Sequence, residues 1–147
     1  MRIIVIILFA VVFASFYACT EEKISKELSF TIVQNNINQY IGKRVIWHGK
    51  CFSAEASHDL KGASGVCMVK NDKGEFSATN VFKFKMQKPI IDGKLAESNV
   101  DFIFNISGKE ILITGTIDGS EQLKLTINGE NKLVEVPVLS DSVVTTE

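Results

Sequence analysis

The sequence predicts a mainly β domain, a small curled sheet of five strands led in by one amphipathic helix. Three observations predict it. From Lys43 onward, apolar and polar residues alternate in short runs rich in β-branched and aromatic side chains. Two of those runs echo each other: Gly42-Lys43-Arg44-Val45-Ile46-Trp47-His48-Gly49 and Gly108-Lys109-Glu110-Ile111-Leu112-Ile113-Thr114-Gly115. Each opens on Gly-Lys and carries a second glycine seven positions after the first. A glycine inside a strand costs stability, so it marks a bulge or sharp bend of the kind that curls a sheet on itself. Third, one segment ahead of the strands repeats with helical period.

That segment holds Phe30, Val33, Ile37, Tyr40 and Ile41 on one face and Gln34, Asn35, Asn36 and Asn38 on the other. Ser25 or Ser29 is placed to cap its start, and Gly42 to stop it. Its asparagines lower intrinsic helix propensity, so packing on the sheet must hold it. The first strand follows, with Val45, Trp47 and Cys51 alternating against Arg44, Ile46, His48 and Lys50. A second covers Val66 to Val69 and ends at the turn residues Asn71-Asp72-Lys73-Gly74. The third, Val81 to Met86, alternates Phe82, Phe84 and Met86 with Lys83 and Lys85, and Pro89 stops it. Residues 90–107 are ambiguous: Lys94 to Asn99 suggests a short helix, whereas Val100, Phe102, Phe104 and Ile106 alternate like a strand. A short helix passing into an extended stretch is expected there. Ile111 to Ile117 and Leu123 to Ile127 are the last strong strands, with Asp118-Gly119-Ser120-Glu121 read as the hairpin loop between them. Leu133 to Val138 extends the sheet, and residues 139–147 are expected to form a flexible tail.

The N-terminus reads as an export signal. Arg2 supplies a positive start, Ile3 to Val12 an almost unbroken apolar run, and Ala14, Ser15 and Ala18 the small residues before Cys19. General signal-peptidase cleavage after Ala18 would place bulky Phe16 at the third position before the cut, where a small residue is wanted. The alternative is a bacterial lipoprotein signal, in which Cys19 is lipidated and becomes the new N-terminus. Phe16-Tyr17-Ala18-Cys19 resembles that lipobox in its apolar first residue, small third residue and cysteine, and departs from it in Phe16 and Tyr17. A retained membrane helix is the third reading. Its apolar run is close to the lower bound of about 17 residues for a span, and acidic Glu21 and Glu22 follow it. The expected organisation is a signal peptide over 1–18, a lipidated tether over 19–28, a domain over 29–138 and the tail.

Of three cysteines, lipidation of Cys19 leaves one pair, Cys51 and Cys67, and an exported chain meets oxidising conditions. They are expected to join in a disulfide, which would stabilise the fold by roughly 3 kcal/mol in the chain-entropy picture. Neither sulfur belongs to a C-x-x-C or has a histidine at ligand spacing, so no metal and no cofactor is expected.

With 16 basic and 17 acidic residues, the chain has no strong footprint for nucleic acid or an anionic membrane surface, and nucleic acid is an unlikely partner. Membrane attachment would come from the lipid.

The order of helix, bent strand, two strands, ambiguous helical segment, bent strand and final strand matches a five-stranded Greek-key barrel, the OB-fold. Here the chain resembles a family. Tyr40-Ile41-Gly42-Lys43-Arg44-Val45 through Gly49, and Ser107-Gly108-Lys109-Glu110-Ile111-Leu112-Ile113-Thr114-Gly115-Thr116, are similar to the glycine-bracketed strands of the exported tRNA-anticodon-binding-like OB domains. These are small bacterial proteins, often lipoproteins. The resemblance covers roughly residues 30–136, implies the fold, and carries no catalytic residues. The Cys51 and Cys67 pair and the Phe102-to-Ile106 stretch depart from it.

Catalytic chemistry is scarce. His48 and His58 lie outside any H-E-x-x-H spacing, and Gly62-Ala63-Ser64-Gly65 lacks the spacing of a nucleophile elbow. OB barrels bind ligands on the face of their second and third strands, between the first and fourth hairpin loops. Those loops would be 52–65 and 118–121. Phe52, His58, Lys61, Lys83 and Lys85 are therefore the candidate ligand-binding face, against the plainer reading of Lys83 and Lys85 as the solvent side of an amphipathic strand. Trp47, alternating with Val45, reads as core. The expected function is a lipid-anchored envelope protein facing the periplasm or exterior. It would act as a non-catalytic binding or interaction module for an envelope protein or small ligand. The alternatives are an exported single-stranded nucleic-acid or oligosaccharide binder, or a small envelope enzyme.

Overall fold

The computed structural model describes residues 28–146, so the leader, Cys19 and nearly all of the tether lie outside the described residues. The expected helix is split in two. Helix α1 spans Phe30–Asn35 and a 3₁₀ turn spans Ile37–Tyr40, with Asn36 between them in a non-helical conformation. Phe30, Val33 and Ile37 are buried, as the periodicity requires, whereas Ile41 is exposed. Seven strands follow: β1 Arg44–Ala56, β2 Ala63–Lys70, β3 Phe76–Met86, β4 Ile90–Ile91, β5 Lys94–Leu95, β6 Glu110–Ile127 and β7 Glu130–Thr146. Helix α2, Asn99–Ile106, sits between β5 and β6.

All seven strands belong to one sheet of order β3-β2-β1-β6-β7-β4-β5. A parallel pairing of β3 with β7, Lys83 to Val138 and Phe84 to Leu139, closes a ring through β1, β2, β3, β7 and β6. The sheet therefore has seven strands rather than the expected five: five form the ring, and the other two, β4 and β5, are a hairpin of two-residue strands paired to the end of β7.

Alternation decides what faces inward. Val45, Trp47, Phe82, Phe84, Ile111, Ile113, Ile117 and Leu139 fill the ring's interior. Phe30 of α1 packs edge-on against Trp47, with ring centroids 5.3 Å apart, and Trp47 meets Phe82 the same way. The indole N–H donates to the Leu28 carbonyl at 3.0 Å, so the one polar atom of this large core side chain is satisfied. The echoing glycines both face inward. A Cβ on Gly49 would meet Cys67 Cβ at 3.0 Å, and one on Gly115 would meet Leu139 Cβ at 2.9 Å. Each marks a point where the neighbouring strand comes too close for a side chain, the close backbone approach that glycine in a strand permits.

Three expectations are corrected. Residues 90–107 run in the reverse order to that expected, extended first at β5 and helical afterwards. Ser98 caps α2 by accepting the Asp101 N–H at 3.1 Å, while Asp101 accepts the Glu97 N–H at 3.0 Å. Phe102 and Ile106, four apart, enter the core, and Val100 and Phe104 face solvent. Second, residues 118–121 are not a loop: β6 runs through them with a bulge between Ile117 and Gly119, and the hairpin turns instead at Asn128 and Gly129. Both turn residues have positive φ, 54° and 81°, the two-residue turn for which Asn-Gly is the preferred sequence. Third, residues 139–146 are strand, with Leu139 and Val144 buried, in place of the flexible tail. Asp92 fastens that end, accepting the Thr146 N–H at 2.8 Å and the Thr146 hydroxyl.

Candidate functional site

Strand β3 presents Phe82, Phe84 and Met86 to the core and therefore Lys83 and Lys85 to the outer face. Register carries that face across the sheet: Lys85 lies opposite Ser64 of β2, and Ser64 opposite Glu55 of β1. The Ser64 hydroxyl donates to Glu55 at 2.8 Å. Where β1 and β2 diverge into the loop of residues 57–62, they leave a groove of about 540 Å³. Glu55, Ser57, Ser64, Lys83, Lys85 and Met86 are among its lining residues.

Of the five residues expected on this face, the structure brings two together in the groove, Lys83 and Lys85. Phe52 sits at a bulge in β1, between Cys51 and Ser53, and is exposed away from the groove lining. His58 is exposed in the loop. Lys61 pairs with Asp59 of the same loop at 3.2 Å. The Ser57 hydroxyl and the Lys61 amide hold the Asp59 carboxyl below the usual range, so the loop is tied to itself.

The lysines have a partner that the sequence did not reveal. Glu121 of β6 reaches across to β3 and receives both: Lys83 Nζ lies 2.9 Å from Oε2, and Lys85 Nζ binds Oε1. Lys85 and then Lys83 pull the Glu121 carboxyl below its ordinary pKa. Lys83 is mostly covered, while Lys85 and Glu121 are partly open to solvent, with side-chain exposures of 46% and 33%. The groove's two ammonium groups are therefore balanced in charge, by Glu55 in its lining and by Glu121 from the adjoining recess.

The expected disulfide is not formed. Cys51 and Cys67 face each other across β1 and β2, fully buried, as free thiols that are not at disulfide distance. The Cys51 thiol donates to the Ser53 carbonyl at 3.2 Å, at the bulge. Burial pushes the Cys67 thiol well above its ordinary pKa, which keeps it neutral. Both behave here as small core residues.

Sequence reasoning also missed a second cleft, of about 670 Å³, between the β4–β5 hairpin and α2. Asp92, Glu97, Asp101, Asn105 and Lys109 are among its lining, but Asp92 and Asp101 are already engaged by Thr146 and by the α2 cap. His48 stands on the outer face with Nε2 3.5 Å from Glu110 Oε2. Among the described residues, no three His, Cys, Asp or Glu side chains converge to hold a metal ion, and no helix is long and apolar enough to cross a membrane. No protein-family model matches this chain, and no curated protein matches it.

Proposed function

We propose that this chain is an exported bacterial envelope protein, anchored through lipid on Cys19, whose OB-type domain is a non-catalytic binding or interaction module. The observation that carries the reading is the groove on the outer face of β2 and β3, beside the loop that joins β1 and β2. That is the position at which OB barrels take their ligands. The ring order β1-β2-β3-β7-β6, with α2 between its third and fourth strands in the chain, supports an OB-type barrel. The leader residues support export, and Cys19 supplies the acyl site.

A nucleic-acid ligand is the weaker reading. A strand of phosphates is held by a track of uncompensated cations. Glu121 compensates both of the groove's lysines, and Glu55 lines the same groove.

Two measurements test the proposal. Cys19→Ser should abolish acyl labelling and move the protein from the membrane fraction to the soluble one; unchanged labelling would contradict the anchor. A photocrosslinking residue in place of Ser64, in the living envelope, should give a discrete adduct. No adduct at Ser64, where a crosslinker on an exposed turn residue such as Lys73 behaves identically, would contradict the binding role.

A further inference from the structure

We propose that Lys83 and Lys85 form a carboxylate site that the protein's own Glu121 occupies at rest, and that a carboxylate-bearing small molecule takes its place and releases the β6–β7 arm from β3. The proposal rests on the binding-module reading above and goes further by assigning the ligand's chemistry and its consequence.

The geometry is that of a filled receptor. Two lysines two residues apart on one strand face present their ammonium groups to the two oxygens of a single carboxylate, one each. The site is reachable from both sides. Lys83 and Lys85 line the large groove, and Lys85 with Glu121 lines a smaller recess of about 80 Å³ beside Asp118 and Ser120. Glu55 across the groove repels any long polyanion, so the site suits a compact carboxylate-bearing molecule.

The segment bearing Glu121 is built to let go. From Ser120 to Val136, the only ladder partner of β6 and β7 among the described residues is the other strand. No residue from Asp118 to Glu135 is buried, so the apolar burial at the arm is confined to its base, where Val136 lies opposite Glu121. Its root carries the Ile117/Gly119 bulge, with Gly119 at φ 142°, and Pro137, which has no N–H to give, opposite Ser120. Partly exposed ion pairs are the weak kind with which solvent and added ions compete. The tethered carboxylate nonetheless acts at an effective concentration on the order of millimolar, so an outside carboxylate must exceed that to win.

The test is a titration of the full-length protein in detergent micelles with glutarate, at constant ionic strength, followed by amide NMR signals. Glu121→Gln keeps the side chain's size and removes the competitor, so it should bind glutarate about tenfold more tightly than the unaltered protein. In the unaltered protein, arm signals from 119–136 should shift with the same midpoint as those of Lys83 and Lys85. A Lys83→Gln/Lys85→Gln double variant should lose both responses. Equal affinity in the two Glu121 forms, arm signals that stay still as the groove fills, or no binding to either form would each overturn the proposal. Glutarate filling the groove without moving the arm overturns it while leaving the binding module standing; that reading fails separately, on the Ser64 crosslink.

Discussion

Strands β6 and β7 each run from the closed ring out into the arm, yet different forces hold the two regions. Within the ring, Ile111, Ile113, Ile117 and Leu139 are fully buried, and each strand is paired on both sides. Past the Ile117/Gly119 bulge the ladder continues to the Asn128–Gly129 turn, but burial stops at Asp118 in β6 and goes no nearer the turn than Val136 in β7. A lone two-stranded ribbon is marginal in water. The arm therefore depends on its turn, on cross-strand pairs such as Leu123 with Val134, and on the Glu121 contacts with Lys83 and Lys85. Backbone pairing gives a strand its shape, and side-chain burial decides how firmly it stays.

That contrast can be broken at several strengths. The largest loss should follow Phe82→Ala, which empties a fully buried position in contact with Trp47 and Phe30. It should destabilise the domain by about 3–5 kcal/mol in urea unfolding. Gly115→Ala should cost about 1–3 kcal/mol, because the new methyl would lie 2.9 Å from Leu139 Cβ and 2.8 Å from the Ser142 hydroxyl. Glu121→Gln removes two partly exposed ion pairs and should cost at most about 1 kcal/mol.

The Glu121 effect carries a pH signature. Its carboxyl is depressed by Lys85 and Lys83, so the clasp contributes fully above the unfolded carboxylate value of about 4.3 and fades as pH falls through the lower folded value. The stability difference between the unaltered protein and Glu121→Gln should therefore be constant near neutrality and shrink below about pH 4. Asp118 is the other acid bordering the same recess. Last, Leu133→Ser at the exposed side of the arm should change stability by no more than about 0.5 kcal/mol, as Leu133 has little burial to lose.

The sequence made the ring legible wherever burial is one-sided, because alternation then records the inward face directly: Val45 and Trp47 in β1, Phe82, Phe84 and Met86 in β3. The glycine echo was legible for the same reason, since Gly49 and Gly115 stand in inward positions. The arm was misread where composition and geometry part company. Asp118-Gly119-Ser120-Glu121 has the residues of a loop but forms a bulged strand, and the decisive signal was Asn128-Gly129, whose two positive φ values set the hairpin. In α2, Val100, Phe102, Phe104 and Ile106 fit a strand's period as well as a helix's. The cap formed by Ser98 and Asp101 was the local signal that separates the two. At the candidate site, one strand showed Lys83 and Lys85 on a common outer face. Their partner Glu121 is 36 residues from Lys85, and no local pattern records a charge pair made by ring closure. Cys51 and Cys67 face each other on neighbouring strands, but the expected disulfide is not formed, because facing positions in a ladder do not by themselves bring two sulfurs to bonding distance.

Residue-resolved hydrogen exchange on the unaltered protein and on Glu121→Gln tests most directly the claim that one pair of strands is anchored at one end by burial and at the other by a weak clasp. Amides of Ile111 to Ile117 should exchange only with global unfolding, those of Gln122 to Glu135 orders of magnitude faster, and the substitution should speed only the second group. Equal protection along the whole of β6, indifferent to Glu121, would contradict it.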